Sequence, residues 1–225
     1  MPSIERFSYR LPAEFRYLLQ VPERLKADPV AIVALHGYGS NPEVMLRLTT
    51  AALGTGHPIA SLEAPYQFFV HAPGGESGYN WGVSEHHAAN IALHHDMVRS
   101  VCGELLARFG IAPRRCVLIG FSQPCGPNYR FVATHSEQIG GAIAVCGGVP
   151  YDWETGPFAE DVSAPVLHIS RDADEFYPLE KVMAFPARLR RRIADVEFHL
   201  LPGAHRFPSK AGPIIREWLA SHFQV

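Results

Sequence analysis

The sequence predicts an α/β domain in which a mostly parallel central sheet carries helices on both faces. Short apolar runs rich in β-branched residues alternate with longer stretches of helical period, and Gly or Pro stands at nearly every junction. The chain has 225 residues, 47% of them hydrophobic, which is enough for one sizeable core and short for two. Residues 1–225 are therefore expected to form a single domain.

Seven apolar runs are predicted as strands. In chain order they are FRYLLQV (15–21), VAIVALH (30–36), PIASLEA (58–64), CVLIGF (116–121), GAIAVC (141–146), PVLHIS (165–170) and VEFHLL (196–201). Several of these runs are apolar at almost every position, so both of their faces are expected to be buried, as in a parallel sheet covered on both sides.

Five helices are predicted between and after these strands. The first begins at Asn41-Pro42, because Asn accepts a hydrogen bond at an N-cap and Pro needs no donor in the first turn. In the longest helix, apolar side chains recur at helical spacing, at Val98, Val101, Cys102, Leu105 and Phe109. The remaining three are expected at about 128–137, 178–192 and 211–223.

The segment 65–84 is predicted as the longest irregular stretch of the chain. A loop of that length in a compact domain is usually functional or disordered, and its aromatic residues argue against disorder. We therefore expect it to cover a substrate site, which would be lined by Phe68, Phe69, Tyr79 and Trp81.

A serine follows the fourth predicted strand directly, in the segment GFSQPCGP (120–127). In that position a strand lifts the side chain out of the top of the sheet, and the following helix aims its N-terminus at developing negative charge. Serine is a weak nucleophile until a base takes its proton. Ser122 is therefore a candidate nucleophile provided that a histidine and a carboxylate converge on it.

Asp174 and His205 are the candidates for that role. Asp174 follows the sixth predicted strand and His205 follows the seventh, so both lie past carboxyl ends of strands, where ligands bind in open α/β sheets. Asp172 and Glu175 are neighbours that could supply the carboxylate instead, and Asp174 would then be a helix cap.

The turn LHGYG (35–39) leaves a further strand end with two glycines. It can point the N–H of Tyr38 at the same place as the N–H of Gln123, which would form an oxyanion hole. His36, which precedes this turn, is expected to brace it.

These motifs together resemble the α/β-hydrolase fold and, within it, the phospholipase/carboxylesterase group, which includes acyl-protein thioesterases and small bacterial esterases. From about residue 30 onward, LHGYGSN resembles that group's oxyanion turn, APGGESGYNW its loop ending in tryptophan, GFSQ its nucleophile turn and PGAHRFP the segment with the base. DADEFYP resembles the acid segment, whose aspartate lies four residues before a proline, which selects Asp174 before Pro178. The resemblance implies a Ser122-His205-Asp174 triad that needs no cofactor.

The departure from the group's pattern is Pro124, which stands where the group has glycine. The missing N–H of Pro124 removes no oxyanion donor, and proline fits the first turn of a helix. A residue before proline is pushed away from helical dihedral angles, so the N–H of Gln123 is expected to sit in a slightly rebuilt turn.

Other polar motifs are interpreted as structural. The pairs His86-His87 and His94-His95 are expected to be solvated and not to bind a metal, because positions seven or eight apart on a helix lie about 10–12 Å apart along its axis. The basic run Arg188–Arg192 is expected to be a solvated helix C-terminus. Reduced core thiols are predicted for the cysteines, which contain no C-x-x-C pair: Cys102, Cys116, Cys125 and Cys146.

The charge composition of the chain favours a small-molecule partner. The formal net charge of −2 gives no reason to expect nucleic acid, and the first ten residues have charges and no apolar run of signal-peptide length. We expect a cytoplasmic protein without a membrane span, whose sequence does not fix the oligomeric state and allows a homodimer.

The resulting hypothesis is a serine carboxylesterase that hydrolyses short-chain acyl esters through an acyl-enzyme intermediate. Two alternatives stay open at this point. The same residues could serve an acyl-thioesterase or lysophospholipase acting on longer acyl chains, or Pro124 could have turned the chain into a catalytically impaired binding protein.

Overall fold

The computed structural model describes residues 7, 12–83, 85–158 and 160–224. Within those residues the strands are β1 (Tyr17–Gln20), β2 (Ala31–Leu35), β3 (Ile59–Leu62), β4 (Tyr66–Phe69), β5 (Ser77–Asn80), β6 (Cys116–Phe121), β7 (Gly141–Val145), β8 (Val166–Arg171) and β9 (Val196–Leu201). The helices are α1 (Pro42–Leu53), α2 (His87–Phe109), α3 (Cys125–Thr134), α4 (Leu179–Leu189) and α5 (Ala211–Phe223).

Seven of the strands form one sheet in the order β1-β3-β2-β6-β7-β8-β9. The edge strand β1 is antiparallel to β3, and every other neighbouring pair is parallel. The predicted α/β architecture with a mostly parallel sheet is confirmed. Because the strands are parallel, the turns that follow β2, β6, β8 and β9 all open at the same edge of the sheet.

Helices cover both faces of this sheet, as predicted. On one face α1 and α5 contribute Met45 and Trp218 to a core, and on the other α2, α3 and α4 contribute Val98, Phe131 and Phe185. Each helix therefore buries one apolar side against the sheet.

Strand β2 explains why the central runs are apolar throughout. All five of its side chains are buried, with Ala31, Val33 and Leu35 in the core beneath α2 and Ile32 and Ala34 in the core beneath α1. Alternate residues of a strand point to opposite faces, so a strand covered on both sides needs an apolar residue at every position.

The segment 65–84 contains a two-stranded hairpin, where the sequence predicts irregular structure. Strands β4 and β5 pair in antiparallel fashion, and the hairpin is held against the turn after β2. The N–H of Gly39 donates to Tyr79 O (2.9 Å) and the N–H of Tyr79 donates to Ser40 O (2.9 Å). Because the turn after β2 and the hairpin are distant in sequence, local propensity could not reveal the contact between them. Ser84, the end of the predicted loop, lies outside the described residues.

Helix α3 begins at Cys125, three residues before the predicted start. Pro124 precedes its first residue with helical dihedral angles (φ −72°, ψ −8°), and Pro127 lies inside its first turn. Proline is tolerated there because the first N–H groups of a helix have no intrahelical acceptor. The helix therefore begins directly after Pro124 and includes Pro127, whereas the sequence analysis started it at about residue 128.

The expectation that both histidine pairs are solvated is wrong for His94 and His95. Their side chains are buried, with His94 Nε2 3.0 Å from Asn128 Oδ1, whereas His86 is exposed and His87 half-buried. Burial lowers the pKa of His94 to about 3 and that of His95 to about 4, since charging either ring inside the core is unfavourable. Helix α2 is thus buried along more of its surface than its histidines suggest.

These buried histidines predict that acid destabilises the fold. Burial also lowers the pKa of His36 to about 4 and that of His168 to about 3, against about 6.5 in an unfolded chain. Because the unfolded state then binds more protons, stability is fully present above pH 6.5 and falls as the pH drops towards 4. Each such histidine removes about 1.4 kcal/mol per pH unit in that window. We expect the melting temperature to fall steeply between pH 6.5 and 5, above the range in which most carboxylates titrate.

Circular dichroism melts of matched variants test the cause. His95 Nε2 is buried with no hydrogen-bond partner among the described residues, so His95→Leu should flatten the loss of melting temperature below pH 6.5. The control His86→Gln changes an exposed histidine and should leave the profile as it is. An identical acid profile for His95→Leu and the unmodified protein would contradict the assignment.

The basic run at 188–192 is also less solvated than predicted. Arg188 is half-buried, and its Nε and Nη2 donate to the two carboxylate oxygens of Glu154 (2.6 and 2.9 Å). Arg192 is half-buried as well, and its Nε donates to Trp153 O (2.7 Å). These arginines hold the connection between β7 and β8 against the end of α4.

The predicted state of the cysteines agrees with the structure, in which all four are free and buried. Across residues 12–83, 85–158 and 160–224, none of the helices is long and apolar enough to cross a membrane.

Candidate active site

Ser122 follows β6 in a strained turn. Its φ of 64° lies in the left-handed region, which non-glycine residues seldom adopt, and its N–H donates to Val145 O (2.9 Å) in the neighbouring strand. The turn fits because glycine stands next to it: a Cβ on Gly147 would lie 2.7 Å from Ser122 O. The strand-to-helix turn therefore holds the Ser122 side chain above the sheet, as the sequence predicts.

His205 and Asp174 form a hydrogen-bonded chain with this serine. His205 Nε2 lies 2.8 Å from Ser122 Oγ, and His205 Nδ1 lies 2.7 Å from Asp174 Oδ2. Asp174 is buried, and its other oxygen accepts from the N–H groups of Phe176 (2.9 Å) and Tyr177 (3.0 Å). Both oxygens of the buried Asp174 carboxylate therefore have hydrogen-bond partners.

The neighbouring carboxylates hold the main chain and do not contact the His205 ring. Asp172 Oδ1 accepts from the N–H of Gly203 (2.8 Å), and Glu175 Oε2 accepts from the N–H of His205 (2.9 Å). This second hydrogen bond lowers the pKa of Glu175. Of the three candidate acids, Asp174 is the one whose side chain contacts the imidazole of His205. Asp172 and Glu175 instead accept hydrogen bonds from the main chain of the loop that carries His205.

Tyr38 and Gln123, on two different turns, line the same cavity as Ser122. Gly37 packs against this serine, since a Cβ at that position would lie 3.4 Å from Ser122 Cβ. Neither the N–H of Tyr38 nor that of Gln123 donates to any acceptor within the described part of the chain. Backbone N–H groups that lack an acceptor near a candidate nucleophile are what an oxyanion hole requires.

Both ring nitrogens of His36 form hydrogen bonds, one of them within the turn 35–39, as expected for a residue that braces it. Its Nδ1 lies 2.8 Å from Gly37 O, and its Nε2 accepts from the N–H of Ala64 (3.2 Å). Because burial keeps this ring neutral, it can donate through one nitrogen and accept through the other. Its carbonyl oxygen also accepts from Trp81 Nε1 (2.8 Å), which ties the turn to the hairpin segment.

The Gln123 side chain joins the nucleophile turn to the same segment. Its Oε1 accepts from the N–H of Trp81 (3.1 Å), and its Nε2 donates to Gly82 O (2.9 Å). Two hydrogen bonds to adjacent peptide groups fix the amide in one orientation. They hold Gln123 in place directly before Pro124, where the dihedral preferences of the main chain are altered.

A cavity of about 410 Å³ opens above the serine. Its walls are mainly aromatic, formed by Tyr38, Phe121, Phe176 and Tyr177 together with Ser122 and His205. Burial raises the pKa of Tyr177 to about 12, so its phenol remains uncharged. A second cavity, of about 210 Å³, shares Gln123 as a lining residue and is walled by Trp81, Ile91 and Pro127.

Comparison with known proteins matches residues 20–223 to the family model described as Phospholipase/Carboxylesterase. The chain belongs to this family. It is therefore a hydrolase of the carboxylesterase and phospholipase type, and the predicted family and fold are confirmed.

Solved structures share the fold of this hydrolase at low sequence identity. A carboxylesterase from Bacillus cereus aligns with a TM-score of 0.72 at 15% identity, over 94% of this chain and 96% of that one. A carboxylesterase from Mesorhizobium loti gives 0.73 at 19%, over 92% and 94%. SOBER1 from Arabidopsis thaliana gives 0.67 at 18%, over 86% and 99%. No curated protein sequence matches this hydrolase.

The four aromatic residues predicted to line the substrate site lie outside the cavity of this hydrolase that holds Ser122. Trp81 lines the second cavity, and Tyr79 packs edge-on against His36 with ring centroids 6.2 Å apart. Phe68 supports the Tyr38 ring from behind (5.0 Å), and Phe69 is 50% exposed.

The aromatic residues that do line the cavity of the hydrolase were missed by the sequence analysis. Phe121 precedes the candidate nucleophile, and Phe176 and Tyr177 follow the candidate acid by two and three positions. Adjacency to these two turns was the available signal, because residues of a turn that carries a reacting group also surround it.

Proposed function

We propose that this hydrolase is a serine carboxylesterase that cleaves short-chain acyl esters, with Ser122 as nucleophile. The observation that supports this most directly is the chain of hydrogen bonds from Ser122 Oγ to His205 Nε2 (2.8 Å) and from His205 Nδ1 to Asp174 Oδ2 (2.7 Å). No metal, nucleotide or flavin is invoked, and the absence of a cofactor stays a prediction.

In the first half of the reaction, Ser122 Oγ attacks the ester carbonyl carbon while His205 Nε2 takes the hydroxyl proton. Asp174 accepts a hydrogen bond from the Nδ1–H of His205, which keeps Nε2 unprotonated and able to act as the base, and its charge stabilises the imidazolium that then forms. The N–H groups of Tyr38 and Gln123 would hold the oxyanion of the tetrahedral intermediate. Collapse of that intermediate breaks the C–O bond, and the leaving alcohol takes the proton from His205.

In the second half, water replaces the alcohol. His205 removes a proton from the water, the resulting hydroxide attacks the acyl carbon, and the carboxylic acid leaves as Ser122 recovers its proton. The same donors serve both tetrahedral intermediates, so one preformed site catalyses both steps.

The acyl chain is expected to be short because the cavity lined by Ser122 has a volume of about 410 Å³, and the one next to it, at Gln123, about 210 Å³. Catalytic efficiency should rise from acetyl to about six carbons, at about 0.8 kcal/mol per buried CH₂, and then fall once the chain outgrows the site. A series of p-nitrophenyl esters from acetyl to palmitoyl measures this. Efficiency that keeps rising into long chains would favour the acyl-thioesterase or lysophospholipase alternative, which a parallel series of acyl thioesters would then separate.

Pro124 is expected to leave the serine reactive. The N–H of Cys125 donates to Ser122 O (3.2 Å) and the N–H of Asn128 donates to Pro124 O (2.9 Å), so the turn keeps its hydrogen bonds with proline in place. We expect Pro124→Gly to keep kcat/KM within about threefold or raise it, and to lower stability by about 1 kcal/mol through added freedom of the unfolded chain.

Fluorophosphonate labelling and ester kinetics of both forms provide the test, because only an activated serine is phosphonylated. Absence of labelling in the unmodified protein, together with labelling of Pro124→Gly, would favour the impaired binding protein. A cytoplasmic location stays a prediction, as does the oligomeric state.

A further inference from the structure

The leaving alcohol of an ester must lie beside His205, because that residue gives it a proton. The walls at this position are aromatic. Ring centroids of Phe176, Phe121 and Tyr177 lie 4.8, 5.2 and 6.0 Å from that of His205. The part of the cavity that receives the alcohol therefore offers ring faces and edges to a substrate.

Phe176 is the wall of this cavity with the most apolar surface left open to a ligand. It is 68% exposed although its inner side packs edge-on against His205, so most of a large apolar ring faces solvent at the mouth of the cavity. Its backbone is fixed, since its N–H donates to Asp174 Oδ1 (2.9 Å). Tyr38, 60% exposed and supported by Phe68, lines the same cavity from the oxyanion turn.

None of the described residues that line this cavity is Asp, Glu, Lys or Arg. Tyr177, which also lines it, stays protonated because burial raises its pKa. A carboxylate or ammonium group on the alcohol would lose water there without gaining a partner. An uncharged aromatic ring would instead exchange water for ring contacts, which favour edge-to-face or offset packing.

On these grounds, and resting on the proposed esterase function, we infer that the preferred substrates are esters of an uncharged aromatic alcohol with a short acid. The aromatic ring lies against Phe176 beside His205, and the acyl group extends past Gln123 towards the second cavity. Phe176 is thus a specificity-determining residue.

Benzyl acetate and cyclohexylmethyl acetate provide a matched pair, because the two alcohols are similar in size and only one is aromatic. We expect kcat/KM to be about 3- to 10-fold higher for benzyl acetate, the effect of one aromatic contact. A 4-carboxybenzyl ester should be at least tenfold poorer than the benzyl ester.

Variants of Phe176 assign the preference to this ring. Phe176→Leu keeps an apolar side chain and should bring the benzyl-to-cyclohexylmethyl ratio to about one, whereas Phe176→Tyr should retain the ratio. Phe15→Leu, the same substitution at an exposed phenylalanine next to β1, should leave the ratio unchanged. If Phe176→Leu does not fold, as judged by circular dichroism, the Phe176→Tyr variant and the carboxybenzyl ester carry the test.

Failure of this inference is distinguishable from failure of the proposed function. Hydrolysis of both acetates with a ratio of one or less, or a ratio that survives Phe176→Leu, would overturn the aromatic preference and leave the esterase standing. Loss of all ester hydrolysis, together with no fluorophosphonate labelling, would overturn the esterase itself.

Discussion

Ser122→Ala is expected to reduce kcat/KM for p-nitrophenyl acetate by a factor on the order of 10⁴ to 10⁶, with the fold intact. The reason is that Oγ is the attacking atom in the proposed mechanism, and no other hydroxyl forms a hydrogen bond with His205 Nε2 among the described residues. Alanine keeps the Cβ that the turn already accommodates at a φ of 64°, so the melting temperature should change little.

Two further variants give this result its meaning. Ser100→Ala, at an exposed position on α2, should retain full activity and labelling. His205→Ala should be about as inactive as Ser122→Ala, and the double variant hardly worse, because the two side chains act in one proton transfer. Near-normal turnover by Ser122→Ala would show that the mechanism is wrong.

Asp174→Asn is expected to reduce kcat by about 10⁴-fold. An asparagine that presents its N–H₂ to His205 Nδ1 would favour the tautomer that carries its proton on Nε2, and that nitrogen could then no longer accept the serine proton. The buried carboxylate also accepts hydrogen bonds from the backbone N–H groups of Phe176 and Tyr177. A thermal melt of the variant should therefore be measured as well, to separate a loss of stability from a loss of catalysis.

Asp172→Asn is the matched control for this substitution. Its side chain lies two positions away and accepts a hydrogen bond from Gly203, which an asparagine oxygen can still accept. We expect a loss of less than tenfold. The reverse ranking of the two variants would move the acid to Asp172 and contradict the geometry described above.

The proximity of the three candidate reacting groups could be predicted because each follows a strand that can be recognised from its composition. Ser122, Asp174 and His205 come directly after β6, β8 and β9, and parallel strands bring such turns to one edge of the sheet. The order of strands within the sheet does not enter this argument. The prediction of their proximity therefore depends only on recognising each strand from its apolar run. Such runs are easy to recognise in strands that are buried on both faces, such as β2.

The walls of the site were harder to predict because they depend on packing between distant segments. The aromatic residues of 65–84 were assigned to the cavity on the strength of loop length, yet the hairpin places Phe68 behind Tyr38 and Trp81 beside Gln123. His94 shows the same difficulty. A polar ring on a helix is expected to face solvent, and its burial becomes evident only from the contact with Asn128, which is distant in sequence.

The hydrogen bonds of the Gln123 amide also determine how this scaffold could be re-engineered. The Gln123 side chain is hydrogen-bonded to the peptide groups of Trp81 and Gly82, and its backbone N–H is the proposed oxyanion donor. A transplanted hairpin that shifts those two peptide groups would therefore also shift the proposed donor. The tip of the hairpin is different: Gly74 has open space around it, and residues 71–76 are exposed. Changes in loop length or grafted sequence belong at that tip, which takes no part in the hydrogen bonds between Gln123 and the peptide groups of Trp81 and Gly82.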